Sequence, residues 1–328
     1  MSNSYWDLIN SVDHAYLMPG QDDTLAPYRG GNGAAVISGG LGYADGLFGR
    51  ALFVDRAAFN SGSGSYVDTN VSFTLHQPFT IFCRVRSKFA GIGGYNPRLV
   101  SDASDRHMLG GSSTPLRARL KNESAVNVTV DGLNLTTGWT SIVWTSTGLS
   151  GTQKIYWNGV EVGSAAGPVN MEGAGAIRFG GKAAANDSLT GHICEVGFTS
   201  QVWSLADAAA YNAGPEPSST VAPVASVAGS ALSATNGSWD SHSNGSITYS
   251  YQWQWFDSGW SDIGGATSSS YSAPFDGLYR CNVTATNDGG ASEAASSNSV
   301  LFFLPDPIDL QGPVKYPVAQ PIWRPIWR

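Results

Sequence analysis

The chain has 328 residues, of which only 13% are charged, with 40 glycines and a formal net charge of −7. An ordinary globular domain carries roughly 25% charged residues, so this composition points to strands and tight turns. The acidic balance and scattered Lys and Arg exclude a nucleic-acid partner, which needs a concentrated basic face, and no apolar run approaches the roughly 18 to 20 residues that cross a membrane.

The opening stretch Met1-Ser-Asn-Ser-Tyr-Trp-Asp7 shows no basic n-region, no apolar h-region and no small-residue cleavage site, although the composition behind it suits an extracellular β-protein. A chain of that kind leaves a cell by lysis, by a non-classical route or inside a particle. The expectation is a virion-surface protein made in the host cytoplasm. Residues 1–12 are expected to form an N-terminal arm whose Tyr5 and Trp6 pack on a partner.

From residue 13 to 215, short apolar runs alternate with Gly, Ser and Asn turns, which predicts strands. In Phe79-Thr-Ile-Phe-Cys-Arg-Val85, alternation sets Phe79, Ile81, Cys83 and Val85 on one face and Thr80, Phe82 and Arg84 on the other. Cys194 shares a face with Val196 and Phe198 by the same parity. Cys83 and Cys194 read as buried thiols acting as small hydrophobes, with a disulfide between them as the alternative. Ile142 and Trp144 share a face, and Tyr156 is expected in the same kind of buried layer. Asn158-Gly159 lies between two alternating runs, the favoured signal for a two-residue type I′ hairpin. The segment from Ser204 to Tyr211 predicts a helix, with Ser204 as N-cap, Asp207 at the third position of a capping box and Gly214 as the stop.

Several of these runs resemble a known family. Gly49-Arg-Ala-Leu-Phe-Val-Asp55, Tyr66-Val-Asp68 and the stretch from His76 to Val85 look like the opening half of a laminin-G-like, concanavalin A-type jelly roll. Gly138-Trp-Thr-Ser-Ile-Val-Trp144 resembles its strand facing the inner sheet, Lys154 to Gly163 its hairpin, and Ile177 to Gly181 with Gly191 to Phe198 its closing strands. The resemblance covers about 200 residues and rests on order and spacing. It implies a two-sheet sandwich with inward alternation, and glycan binding as folds of this type often show.

Gly214-Pro-Glu-Pro-Ser-Ser-Thr-Val-Ala-Pro223 holds three prolines in ten residues and reads as a semi-rigid hinge rather than a strand, which marks 216–223 as a linker. A second β-rich block spans 224–303. Its Tyr249-Ser-Tyr-Gln-Trp-Gln-Trp255 alternates aromatic and polar residues, and Tyr279 stands two residues before Cys281. The block resembles the immunoglobulin-like modules of bacterial and phage surface proteins. That resemblance makes Tyr279 the tyrosine corner and Trp253 the buried strand-C Trp. It departs from the antibody pattern over 230–235, where no Cys occurs, so Cys281 is expected to be free and buried. The fold class is therefore all-β: a concanavalin A-like two-sheet jelly roll over 13–215, a smaller immunoglobulin-like β-sandwich, and an extended C-terminal tail over 304–328.

Retaining glycoside hydrolysis needs two carboxylates about 5 to 5.5 Å apart, and no E-x-D-x-x-E run supplies them. Asp22-Asp23 and Asp102-Ala-Ser-Asp105 lie in turn-rich sequence where Asp bonds its own backbone, with calcium at the jelly-roll rim as the alternative for the latter pair. Glu195 stands alone on its strand. His14, His76, His107, His192 and His242 lack ligand spacing, and His192-x-Cys194 offers only two groups on one strand face. No catalytic residue, metal site or cofactor is assigned. Among the loop aromatics, Tyr28, Tyr43, Tyr95 and Trp260 are the candidates for stacking on a glycan.

Pro321-Ile-Trp-Arg324 is repeated at once as Pro325-Ile-Trp-Arg328. Trp and Arg are enriched at interface hot spots, and a Pro-rich strand docks with little entropy left to lose. Trp323, Arg324, Trp327 and Arg328 are therefore expected to anchor the chain on a partner subunit. The expected function is a non-enzymatic phage virion structural protein, a head decoration or head fibre, homo-oligomeric on the particle and fixed to capsid or tail subunits, with weak adhesion to a host surface glycan. The alternative is a tail-tip or fibre adhesin that recognises a host glycan through the jelly roll.

Overall fold

Alternating side chains and capped turns translate into strands wherever the sequence pattern is strict. The computed structural model describes residues 4–19, 27–30, 36–38, 41–48, 50–54, 66–72, 77–87, 98–102, 108–111, 116–120, 126–130, 138–169, 175–181, 189 and 191–304. The first block opens with helix α1 (Tyr5–Ser11). It continues through β1 (His14–Tyr16), β2 (Val36–Ser38), β3 (Leu41–Asp45), β4 (Arg50–Val54), β5 (Tyr66–Ser72), β6 (Phe79–Ser87), β7 (Arg98–Asp102) and β8 (Met108–Gly111). Then follow β9 (Leu116–Leu120), β10 (Val126–Val130), β11 (Thr140–Ser146), β12 (Thr152–Trp157), β13 (Val160–Ala166), β14 (Ala176–Phe179), β15 (Gly191–Thr199) and helix α2 (Leu205–Ala213).

These strands form two antiparallel sheets. One has the order β13-β12-β11-β6-β15-β4-β3 with β1 also paired to β15, and the other has β10-β9-β8-β7-β14-β5-β2. Their facing sides enclose a single core that includes Phe79, Ile81, Cys83, Val85, Ile142 and Trp144 from the first sheet and Val67, Leu99, Leu109, Ile177 and Phe179 from the second. This is the two-sheet sandwich expected from the alternation and the jelly roll that the resemblance implied. The Asn158-Gly159 turn has φ values of +48° and +79°, the two positive angles a type I′ hairpin requires. Cys83 and Cys194 are both free and buried, and burial is the main reason that the Cys83 thiol is pushed up to about 12.

Part of the opposite face of the first sheet is also dry. Helices α1 and α2 lie on it, and Phe82, Val143, Tyr156, Trp203 and Tyr211 pack with Tyr5, Leu8 and Ile9 into a second cluster. Tyr156 therefore belongs to this helical layer, because it pairs with Val143 while Ile155 pairs with Trp144. The Phe82 ring stacks on Trp203 at 4.7 Å, and Gly197 makes room for it: a Cβ there would come within 2.1 Å of the ring. Both helices start with the same device, a Ser whose hydroxyl accepts from the third backbone N–H while an Asp three residues on accepts from the cap.

Residues 1–12 are thus not a free arm as far as they are described. Tyr5, Leu8, Ile9 and Val12 follow helical spacing and are all buried on the jelly roll, so Tyr5 cannot anchor a partner. Its phenol donates to Glu195 Oε2 at 2.9 Å. Glu195 sits at a β-bulge with φ +49°, between the regular pairings Cys194↔Arg84 and Gly197↔Phe82. The same carboxylate oxygen accepts from Arg84 Nε at 2.8 Å, both side chains being 2% exposed. Arg84 donates as well to the carbonyls of Tyr211 and Asn212, the last turn of α2. Its guanidinium lies 4.7 Å from the Phe48 ring and 4.6 Å from the Tyr211 ring. Burial opposes the charge on Arg84, but Glu195, Tyr211 and Tyr5 together override it and raise the pKa. The Tyr5 and Tyr211 phenols are held well above their usual value, first by burial and then by Glu195.

The linker reading also needs correction. Residues Gly214 to Pro217 are buried, and strand β16 (Ser218–Val221) begins inside the stretch expected to be a hinge. It is followed by β17 (Ala225–Ala228), β18 (Ala231–Ala234), β19 (Ser238–Asp240), β20 (Thr248–Phe256) and β21 (Trp260–Asp262). The block closes with β22 (Ser270–Tyr271), β23 (Gly277–Asn287), β24 (Gly290–Ala291), β25 (Ala295–Ser296) and β26 (Val300–Phe302). Strand β16 pairs with β19, and the connector carbonyls are clamped by amides: Asn244 Nδ2 donates to Ala213 and Pro215, and Asn287 Nδ2 donates to Pro215. Strand β16 uses the proline-free Ser218–Val221 stretch, and the side-chain amides satisfy the Ala213 and Pro215 carbonyls just before it.

The second block has its own core between a sheet ordered β17-β18-β22 and one built on β21-β20-β23 with β24, β25 and β26. Trp253 and Cys281 face each other across β20 and β23 and are fully buried. Leu232 fills the same core from the stretch where a second Cys was missing, and Cys281 is free, with burial pushing its thiol up to about 11. The Tyr279 hydroxyl donates to the Phe275 carbonyl four residues upstream at 2.9 Å. The remainder of the expected C-terminal tail, 305–328, lies outside the described residues.

Removing one partner of the buried pair should be costly, since it strands a dehydrated charge. Glu195→Ala is expected to destabilise the first block by about 3 to 5 kcal/mol, and Tyr5→Phe by about 2 kcal/mol. Urea unfolding followed by near-UV circular dichroism measures both. Unchanged midpoints in Glu195→Ala would show that the pair does not hold the helices to the sheet.

Candidate functional site

Beyond the helices, the outer face of the first sheet carries a row of side chains that sheet pairing alone puts side by side. Strands β4, β15 and β6 bring His192 opposite Phe53 on one side and Arg86 on the other, while Thr140↔Val85 sets Trp139 beside Arg86. Their chain neighbours Leu52, Val54, Ile193 and Val85 point into the core, so alternation sends Phe53, His192 and Arg86 outward. All four residues are half-buried. The Phe53 and His192 rings are 4.9 Å apart, Trp139 meets His192 edge-on at 6.1 Å, and the Arg86 guanidinium lies 5.3 Å from the Trp139 centroid. Burial lowers the His192 pKa and the Arg86 charge lowers it further, so both favour the neutral ring.

Such a row offers aromatic surface flanked by a fixed donor fork. Apolar ring faces suit the C–H face of a sugar, and the guanidinium, which has no acceptor capacity, suits hydroxyl or carboxylate oxygens. A second, smaller cluster lies on the outer face of the other sheet. There Arg178 Nε donates to Asp68 Oδ2 at 2.8 Å, and its guanidinium lies 4.6 Å from the Tyr66 ring. Each half of that ion pair is less than one-fifth exposed, which leaves it partly accessible.

The aromatic residues proposed from the sequence lie on separate elements where they are described. Tyr28 is 38% exposed and tied by its backbone to Ala15, whereas Tyr43 is partly buried against the core from β3. Trp260 sits in the second block, with Arg280 4.4 Å from its ring and Phe256 5.3 Å away. Tyr95, like Trp323, Arg324, Trp327 and Arg328, lies outside the described residues. Trp6 is turned inward: its indole donates to the Glu216 carbonyl at 3.3 Å and meets the His242 ring edge-on at 5.2 Å. Asp102 ends strand β7, and Asp105 is outside the described residues. Among the described residues, no group of three or more His, Cys, Asp or Glu is placed to hold a metal ion. Glu195, which stands alone on its strand, is sealed beneath α1 and α2.

Sequence reasoning missed Phe53, Arg86, Trp139 and His192 as a group. The parity of each was legible, because the alternation read over 79–85 continues to Arg86 and places His192 opposite in phase to Ile193. Their adjacency depends on the strand order β4-β15-β6-β11, which joins segments about 140 residues apart.

Comparison with known proteins agrees with the geometry of the first block. Residues 61–209 match the family described as the concanavalin A-like lectin/glucanases superfamily. Similar solved structures include the binding domain of Paraclostridial Mosquitocidal Protein 1, at 12% identity and a TM-score of 0.52, covering 69% of this chain and 64% of that one. The receptor binding domain of botulinum neurotoxin C/D mosaic serotype is similar over 86% of this chain and 72% of that one, at 12% identity and a TM-score of 0.50. Domain 4 of AbnA, a GH43 extracellular arabinanase from Geobacillus stearothermophilus solved with arabinotriose, is similar over 61% of this chain and 98% of that one, at 15% identity and a TM-score of 0.49. No curated protein sequence matches the chain. The family match and the two likenesses at a TM-score of 0.50 or more establish the concanavalin A-like jelly-roll fold.

The lowered His192 pKa carries a sign. Stability contributed by the neutral ring is present above the unfolded value of about 6.5 and is lost as pH falls through the folded value. An NMR titration of the His192 ring should give a midpoint below about 6.5, and Arg86→Gln should move it upward. A midpoint unchanged by Arg86→Gln would place the guanidinium too far away to matter.

Proposed function

We propose that the jelly roll is a carbohydrate-binding module and that the chain is a non-catalytic surface protein of a phage virion. The observation that carries the binding reading is the row of Phe53, His192, Arg86 and Trp139, where half-exposed rings lie beside a guanidinium on a lectin-type fold. Two structures of similar fold are described as a binding domain and a receptor binding domain, which supports a binding role over a catalytic one. Sealing of Glu195 inside its ion pair supports the same side, because glycoside hydrolysis needs an accessible pair of carboxylates.

The virion setting rests on the sequence: two tandem β modules of low charge, followed by a doubled Pro-Ile-Trp-Arg segment suited to anchoring on capsid or tail subunits. The second block fits an immunoglobulin-like module, supported by the Tyr279 to Phe275 hydrogen bond and the buried Trp253 and Cys281. A tail-tip or fibre adhesin with a specific host glycan is the second reading, favoured if the aromatic row binds one saccharide tightly.

Glycan-array binding followed by calorimetry tests the module. Trp139→Ala and Arg86→Ala should each weaken saccharide binding by about fivefold or more, since stacking and cation–π contacts are each worth about 1 kcal/mol or more in a partly desolvated site. Binding that survives both substitutions would sink this assignment. Removing residues 305–328 should abolish incorporation into particles while leaving saccharide binding intact, and normal assembly of the shortened chain would refute the anchor.

A further inference from the structure

A cleft of about 580 Å³ opens where α1 meets the second block, lined by Trp6 and Asp7, by Glu216 of the connector, by Trp239 of β19 and by Glu293 between β24 and β25. The remaining polar side chains in its lining are serines, and no Lys, Arg or His of the described residues lines it. Both indole N–H groups are already donated, from Trp6 to the Glu216 carbonyl and from Trp239 to the Asn236 carbonyl at 2.7 Å. What the two rings offer a ligand is therefore their π surface. Asp7 spends Oδ2 on the backbone N–H of Ser4. Glu216 differs: it is only 9% exposed, and its Oε2 has no hydrogen-bond partner. A buried carboxylate oxygen without a donor carries an uncompensated desolvation cost, which a bound donor would remove.

A cleft with carboxylates, two indole faces and no cationic side chain among the described residues repels anions and attracts a donor-rich cation. A guanidinium fits better than an ammonium, because it is planar, weakly hydrated, stacks on aromatic faces and presents paired donors to a carboxylate. We propose that this interdomain cleft binds an arginine side chain, with its guanidinium paired to Glu216 and stacked against Trp6 or Trp239. Two sources share that chemistry: Arg324 and Arg328 of the chain's own repeated Pro-Ile-Trp-Arg segment, or an arginine of another protein. The site is separate from the aromatic row on the jelly roll and stands whether or not that row binds glycan.

Titration of the full chain with argininamide, followed by the indole N–H resonances of Trp6 and Trp239, tests the site. Saturable shifts are expected, at least tenfold weaker for the neutral isostere citrullinamide and at least tenfold weaker in Glu216→Gln. Glu293→Gln, at the exposed rim, and Trp239→Ala should weaken binding as well and guard against a folding defect in the connector variant. An Arg324→Gln/Arg328→Gln double variant separates the sources: tighter argininamide binding identifies the chain's own arginines as occupants, and unchanged binding assigns the site to an external arginine. No saturable shift in either the wild type or the double variant, equal binding of citrullinamide, or wild-type affinity in all three cleft variants would overturn the proposal.

Discussion

A charge pair in a dry place organises the first half of this molecule. Arg84 and Glu195 sit on adjacent strands beneath two helices, and neither ion is tolerable there without the other. The arginine meets its remaining donor capacity by capping α2 through the Tyr211 and Asn212 carbonyls, where the partial negative end of the helix favours a cation. The glutamate recruits α1 through the Tyr5 hydroxyl. Two strands and two helices from distant parts of the chain are thereby held at one point. The bulge at Glu195 is what aims the carboxylate, and Gly197 just beyond it lets Phe82 lie flat in the same layer.

Covering one end of the first sheet with helices leaves its other end as half-exposed surface. The aromatic row occurs there and not under the helices, because a sheet face that is not buried can afford rings and a guanidinium only partly in water. Strand parity and sheet order act together in this. Parity decides that Phe53, His192 and Arg86 point away from the core, and sheet order decides that they touch.

The junction between the blocks follows a different logic. Buried connector carbonyls would be expensive if unpaired, and Asn244 and Asn287 satisfy them from the second block. Gly289 allows the approach, since a Cβ there would sit 2.5 Å from the Pro215 carbonyl oxygen. Backbone satisfaction ties the second block to the connector, and a cleft opens beside the clamp with Glu216 incompletely paired.

The resemblance to immunoglobulin-like modules implied the burial of Trp253, Tyr279 and Cys281, and local pattern by itself was enough to determine the all-β class, the face of every residue from Phe79 to Val85, the hairpin at Asn158-Gly159 and the capped helix after Ser204. Each depends on chemistry within a few residues: period-two alternation, positive φ at a turn, or a hydroxyl reaching a nearby N–H. The capping box at Ser4 and Asp7, with Tyr5, Leu8 and Ile9 in helical phase, was equally local, and reading the segment as an arm overlooked it. Only the tertiary structure decided that Tyr5 serves Glu195, that the proline-rich connector carries a strand, and that Arg86 and His192 become neighbours. Those outcomes depend on which strands pair across long stretches of chain and on where the desolvated groups find partners, and neither is a property of any short window of sequence.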